Sequence, residues 1–181
     1  QMTVRDPVLQ FLVVEGRDFY RNSGEIRHRG FELAGAAAIH SRVLIETAYT
    51  FSHFLFVDDG VATNSFEGNE LPGVAPHHLF TRVRFQPVEW LAIEIEDEYT
   101  AEFFANDANT AANPSANVVD ARAHFDVSTG RISLRPFIGV NNLFDKTYNT
   151  TVVVNQAQGR FYEPAPGRNF YIGTSVRFGA W

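Results

Sequence analysis

From Trp90 to Tyr99 the chain alternates: Leu91, Ile93 and Ile95 fall on one side of an extended backbone and Ala92, Glu94, Glu96 and Glu98 on the other. Neighbouring side chains of a strand point to opposite faces, so this pattern predicts a strand with one apolar and one charged side. Val118 to Val127 repeats it, with Val119, Ala121, Ala123, Phe125 and Val127 against Asp120, Arg122, His124 and Asp126. Phe170 to Phe178 does the same with Phe170, Ile172, Thr174, Val176 and Phe178 against Tyr171, Gly173, Ser175 and Arg177. Val43 to Phe51, Leu79 to Phe85 and Ile132 to Phe144 add three more strands, and Val8 to Glu15 and Gly30 to Ile39 two weaker ones, the last alanine-rich enough to allow a helix. The expectation is an all-β chain of about eight strands.

The links between these strands alternate in length. Ile39 to Arg42, Gln86 to Glu89 and Ser128 to Arg131 are tight and turn-like. Gly16 to Arg29, Val57 to Pro76, Ala105 to Asn117 and Asp145 to Arg168 are long and rich in Gly, Asn and polar residues, with 106–117 low in complexity and expected to be mobile. Short turns at one end and long loops at the other describe an antiparallel up-and-down meander, as in transmembrane β-barrels. No domain boundary is visible, so residues 1–181 are expected to form a single β-barrel unit.

Periodicity alone does not say which face meets water. A soluble β-sandwich or lipocalin-like binding module buries the apolar face, and an outer-membrane barrel turns it to lipid. Aromatic residues gather near the strand ends, at Phe19/Tyr20, Phe51/Phe54/Phe56, Trp90, Tyr99/Phe103/Phe104, Phe144/Tyr148 and Phe161/Tyr162/Phe170/Tyr171, where girdles would meet the lipid interfaces. In the barrel reading Arg82, Arg84, Glu94, Glu96, Glu98 and Arg122 form a lumenal polar network, with Arg82 and Arg84 placed to pair with Glu94 or Glu96 across a hairpin.

Composition removes other classes. The 181 residues include no cysteine, which excludes a disulfide scaffold, a cysteine zinc site and a thiol nucleophile. A net charge of −6, with the basic residues scattered, argues against nucleic-acid binding. No apolar run is long enough for a membrane helix.

Four segments resemble, in order, the C-terminal barrel of TonB-dependent outer-membrane receptors. They are Asn22-Ser-Gly-Glu-Ile-Arg-His-Arg-Gly-Phe-Glu-Leu33, Leu71-Pro-Gly-Val-Ala-Pro-His-His78, Gly139-Val-Asn-Asn-Leu-Phe-Asp-Lys-Thr-Tyr148 and Pro166-Gly-Arg-Asn-Phe-Tyr-Ile-Gly-Thr-Ser-Val-Arg-Phe178. The resemblance implies the bacterial outer membrane and a parent function in energy-coupled uptake of a ferric siderophore or similar nutrient. It also implies that Phe170, Ile172, Val176 and Phe178, with Trp181 as an added terminal aromatic, present a signal to the barrel-assembly machinery. Such receptors have barrels of about 22 strands, against about eight here, so the chain reads as a barrel segment not transport-competent by itself. The alternative is a small self-contained barrel with a structural, adhesive or anchoring role. An open sheet leaves unpaired edges in lipid, so the chain alone is expected to close first strand on last or to associate with other copies.

The remaining chemistry is sparse. Arg160, Phe161, Tyr162 and Arg168 in the longest loop suit an anionic, aromatic iron chelate; the competing reading has Arg160 and Arg168 contacting lipopolysaccharide or neighbouring loops. His77 and His78 are adjacent and face opposite sides, and the other histidines are dispersed, so no metal site is expected. Glu94, Glu96 and Glu98 with His124 could mimic paired-carboxylate catalysis, but no nucleophile elbow or phosphate loop is present and no enzyme activity or cofactor is expected.

Overall fold

The computed structural model describes residues 1–5, 7–14, 17–22, 24–58 and 66–179, with the backbone alone for 8–14, 17–22 and 129. The strands are β1 (Met2–Arg5), β2 (Val8–Val14), β3 (Arg17–Asn22), β4 (Glu25–His40), β5 (Val43–Asp58), β6 (His77–Val88) and β7 (Leu91–Thr100). There follow β8 (Phe103–Phe104), β9 (Ala112–Asn113), β10 (Ala116–Phe125), β11 (Val127–Thr129), β12 (Ile132–Asn141), β13 (Asn149–Val152), β14 (Tyr162–Pro164) and β15 (Asn169–Phe178). The main sheet runs β1-β4-β5-β6-β7-β10-β12-β15, with β11 along the end of β12. Every pairing is antiparallel, and the alanine-rich segment Gly30 to Ile39 is strand.

Register decides which side chains share a face. One row across the sheet reads Ala37, Ile45, Val83, Ile95, Ala121, Val140, Phe170, an apolar residue on every strand from β4 to β15. The next reads Val43, Phe85, Ile93, Ala123, Ile138, Ile172. These rows are bare: Ile95 is 46% exposed, Ile138 50%, Phe170 74% and Ile172 83%, whereas Ala92, on the charged side, is fully buried. No large side chain is completely buried among the described residues. A soluble monomer does not leave an apolar band across seven strands open to water, and among the described residues no second sheet covers it. The apolar face is the lipid face, and the soluble-sandwich reading is rejected.

The tight turns lie at one end, between β4 and β5, β6 and β7, and β11 and β12, and the long links at the other. Three expectations need correction. Gly16 to Arg29 is not a loop, since β3 and the start of β4 occupy most of it. The partners of Met2–Arg5 run from His28 to Glu25, and Val8↔Asn22 to Gln10↔Tyr20 continue that register, so a hairpin projects beyond the sheet at the loop end. Residues 69–76 follow β5 past the start of β6, through backbone bonds such as Leu71 N–H to Phe54 O (2.9 Å) and Ser52 N–H to Pro76 O (3.0 Å). Finally, first-to-last closure is absent: β15 pairs only with β12, and β1 only with the first four residues of β4. Both edges of the sheet are open among the described residues.

Candidate functional site

The inner face is built from charges that the register sets opposite one another. Arg82 lies between Glu46 and Glu96 on the flanking strands, with Nε 2.8 Å from Glu96 Oε1 and Nη1 3.2 Å from Glu46 Oε2. Arg84 faces Glu94 at 3.9 Å, and the other oxygen of Glu94 lies 3.2 Å from His124 Nε2. His78 reaches Glu98 at 2.9 Å. Its neighbour His77 turns outward to the Tyr49 hydroxyl, 2.8 Å away. The half-exposed pairs of Arg82 and His78 each contribute little alone, about 0.2–1 kcal/mol, but with the more buried Glu94–His124 pair they give the carboxylates partners on a face that could otherwise expose a row of like charges.

Arg122 is held differently. Its Nε donates to the Tyr171 hydroxyl at 2.8 Å, two strands away on β15. Gly139 on β12 stands between them, opposite both residues, and the Tyr171 ring occupies the space its missing side chain leaves. The next rung repeats the device in reverse, with the Phe137 ring lying over Gly173. The two rings meet edge to face, centroids 6.2 Å apart.

Towards the loop end this face opens into a cavity of about 500 Å³, lined by residues that include Phe80, Glu96, Glu98, Asp120, Phe103 and Tyr148. Burial, reinforced by Asp120 and Glu98, raises the Tyr148 phenol above its usual value. Asparagine side chains stitch the roof. Asn142, at φ 54°, accepts Lys146 N–H at 2.7 Å and donates to Lys146 O at 2.8 Å, closing the turn that follows β12. Asn109, at φ 52°, exchanges bonds of 2.7 and 2.9 Å with the Glu70 backbone. Asn155 accepts Asp107 N–H at 3.0 Å, and Asn149 donates to Asn113 at 2.7 Å. Segment 106–117 is therefore tied to both neighbouring loops and is not the free loop its composition suggests. The Asn141-Asn142 pair is legible in the sequence as bonding backbone where the strand ends, whereas Asn109, Asn149 and Asn155 were missed as organisers; the signal was their density, since Asn tolerates positive φ and bonds backbone locally.

The four loop residues do not converge. Phe161 and Tyr162 meet edge to face at 6.0 Å, and the Tyr162 hydroxyl donates to Ala112 O at 2.8 Å. Arg160 is exposed beside the 3₁₀ turn Ala157–Gly159. Arg168 is tied to the β12 turn, its N–H on Asp145 at 2.8 Å and Nη1 near Leu143 O at 3.4 Å. None of the four lines the large cavity; the strand opposite, β13, does. On β15, Phe170, Ile172, Val176 and Phe178 stand on the exposed apolar face, and Trp181 lies outside the described residues.

A single twisted sheet with lipid on its apolar face, paired charges on the other and looped ends of unequal length is a wall of an outer-membrane β-barrel. The chain belongs to the family described as TonB dependent receptor-like, beta-barrel, which matches residues 1–143. It is 31% identical over 149 residues to the ferrichrome outer membrane transporter/phage receptor of Escherichia coli, covering 79% of this chain and 18% of that protein. It is 26% identical over 167 residues to the probable TonB-dependent siderophore receptor PiuA of Acinetobacter baumannii, covering 88% of this chain and 22% of the relative. The PiuA crystal structure superposes with a TM-score of 0.73 at 24% identity, covering 88% of this chain and 22% of that one, and the ferric citrate transporter FecA with 0.72 at 20%, covering 85% and 24%. The chain thus spans about a fifth of its relatives' length. It is an outer-membrane protein whose relatives are receptors and transporters.

Proposed function

We propose that this chain is one section of the barrel wall of a TonB-dependent receptor that takes up a ferric siderophore or similar chelate, and that it does not transport by itself. The observation that carries the reading is the open, inside-out sheet. Eight strands with two unpaired edges line part of a lumen, and hydrocarbon does not tolerate unpaired edges, so further strands must complete the wall. The relatives named for ferrichrome and for siderophores support a chelated ferric ligand. Within the section, the cavity under the asparagine-stitched loops is the ligand-facing surface, with Tyr162 on the strand paired to its β13 lining, and Arg160 and Phe161 contribute to ligand capture from the same loop. The exposed apolar row of β15, Phe170, Ile172, Val176 and Phe178, serves as the assembly signal. No acid–base or nucleophilic role is assigned to the inner charges.

The test is a titration of the folded chain in detergent with ferrichrome and with ferric ferrioxamine, followed by intrinsic fluorescence. Quenching that saturates at micromolar concentration, and that weakens when Tyr148 or Phe103 is replaced by alanine, is expected. No response at high micromolar concentration would sink the ligand-facing assignment of these loops.

A further inference from the structure

The lipid face is not apolar throughout. Between Ile95 and Tyr99 on β7, the register sets Gly35, Thr47, Thr81 and Asp97 side by side on β4, β5, β6 and β7. Alternate residues of a strand share a face, so Asp97 stands on the same side as Ile95, on the wall that meets hydrocarbon. Asp97 is half-buried, and its Oδ1 is buried with no hydrogen-bond partner among the described residues. The inner-face acids differ: Glu46, Glu94, Glu96 and Glu98 each meet a basic side chain.

Depth sharpens the contrast. Tyr99 and Tyr49 lie in one row with Leu79 between them, and Tyr49 packs against Phe31 with centroids 5.8 Å apart, so this row belongs to the aromatic rim at the loop end. Asp97 is two residues below it, about 7 Å along the strand and about 5 Å nearer the membrane midplane at a tilt of about 40°. An ionisable side chain in the apolar band is destabilising and marks a place where some group satisfies it. The row is remote from the loops: Thr47 to Asp58, the end of β5, is eleven residue steps, about 36 Å along the strand. The satisfying group therefore comes from the membrane side.

The same row carries a donor. Thr47 Oγ1 donates to Phe80 O at 3.2 Å, which leaves Thr81 as the donor in the 3.4 Å contact between the two hydroxyls. That contact is at the long limit, so the Thr81 hydroxyl is available to a better-placed acceptor. Two copies inserted in the same sense and related by a two-fold axis along the membrane normal share a self-complementary interface. An axis through Thr81 sets the hydroxyl of each copy beside the Asp97 of the other, one strand spacing of about 4.8 Å to the side. The short side chains of Gly35, Thr47 and Thr81 let the two walls approach there.

We propose that the Thr47–Thr81–Asp97 row is a docking surface for a second copy of this chain, packed wall to wall in the membrane. The inference rests on the lipid placement of the apolar face and not on which chelate the receptor takes up. It is distinct from edge pairing, which would join copies through β15 or β4. The chain has no cysteine, so single cysteines report the contact. In phosphatidylcholine vesicles oxidised with copper phenanthroline, Val83→Cys, the next outward residue on β6, should give a disulfide-linked dimer, and Ile172→Cys on the edge strand β15 should not. Sedimentation in density-matched detergent micelles reads the association constant. Asp97→Leu should weaken it about tenfold, the factor for two symmetry-related hydrogen bonds of about 0.7 kcal/mol each. Asp97→Asn keeps an acceptor and should stay within about threefold. Leucine suits a lipid-facing position, so the loss it causes is not a loss of fold. Unchanged association of the leucine variant, an equal loss with asparagine, or crosslinking at Ile172 but not at Val83 would each overturn the proposal. A monomer that instead retains phosphatidylethanolamine through Asp97, counted by native mass spectrometry, would assign the carboxyl to a lipid headgroup and overturn it as well.

Discussion

Replacing Gly139 by alanine tests how the last two strands of the sheet are locked. A Cβ at this position overlaps the Tyr171 ring at Cζ, Oη and Cε1. The ring can yield only by swinging off β12 into the lumen. That movement breaks the 2.8 Å bond from Arg122 Nε, the guanidinium–ring contact at 5.4 Å and the edge contact with Phe137. Arg122 is exposed, so the hydrogen bond contributes about 1 kcal/mol, the cation–π contact about 0.5–1 and the aromatic pair about 0.5–1. Alanine recovers about 0.5–1 kcal/mol of backbone entropy in a strand. The net cost is therefore about 2 kcal/mol, against about 1 for Tyr171→Phe, which keeps the ring and loses the hydroxyl. The assay is urea unfolding of the chain in detergent micelles, followed by gel mobility with and without heating. In a Tyr171→Ala background the glycine has nothing to accommodate, and Gly139→Ala should become neutral or mildly stabilising. A cost that is the same in both backgrounds, within about 0.5 kcal/mol, would refute the slot.

Other consequences follow from the same geometry. Ile172→Arg puts a cation on the lipid face and should cost about 2–4 kcal/mol in equilibrium folding into vesicles, whereas Ser175→Arg, on the inner side of the same strand, should be close to neutral. Asn109→Gly keeps the positive φ and loses the Glu70 bonds, costing about 1 kcal/mol, and Asn109→Ala adds backbone strain for about 1 more; hydrogen exchange in the 103–113 loop reads the difference. Tyr148 holds its proton more tightly folded than unfolded, so stability intact below about pH 10 should fall as pH rises past that value. Tyr148→Phe should remove this share of the alkaline loss of the urea midpoint.

Strand positions and faces were legible because a period of two is written directly into residues such as Leu91 to Glu98, and the register merely aligned those periods. The choice of lipid over core for the apolar face was not in the periodicity. The aromatic strand ends and the four receptor-like segments pointed to lipid, and Ile95 and Ile172, exposed beside a buried Ala92, bear that out. The loop chemistry was least legible. The Asn-rich segment read as featureless because key bonds run to partners tens of residues away, as from Asn109 to Glu70 and from Asn155 to Asp107. Arg160, Phe161, Tyr162 and Arg168 are close in sequence, yet a hairpin and a turn send them to different supports. The hairpin of β2 and β3 was missed because Arg17–Asn22, polar at four of its six positions, carries no clean alternation and pairs only with β2.

The inner face also bears on whether these eight strands could form a barrel of their own. Closing eight strands encloses an interior that side chains must fill. β12 and β15 supply Phe137 and Tyr171, but β4 turns Gly30, Ala34, Ala36 and Ala38 inward, and β5 meets Ala34 with Ala48. Pulled round to face the aromatic strands, that wall would leave empty space, and unfilled volume in a barrel interior is destabilising. In a wider barrel the same small residues border an open lumen and cost nothing. Ala36→Leu separates the two cases. In a closed eight-stranded form the added carbons fill a void and stabilise by about 1–2 kcal/mol; on an open wall they contact solvent and change stability by less than about 0.5 kcal/mol. The open arrangement predicts the second outcome in urea unfolding, and a clear gain for leucine would show that the chain closes upon itself.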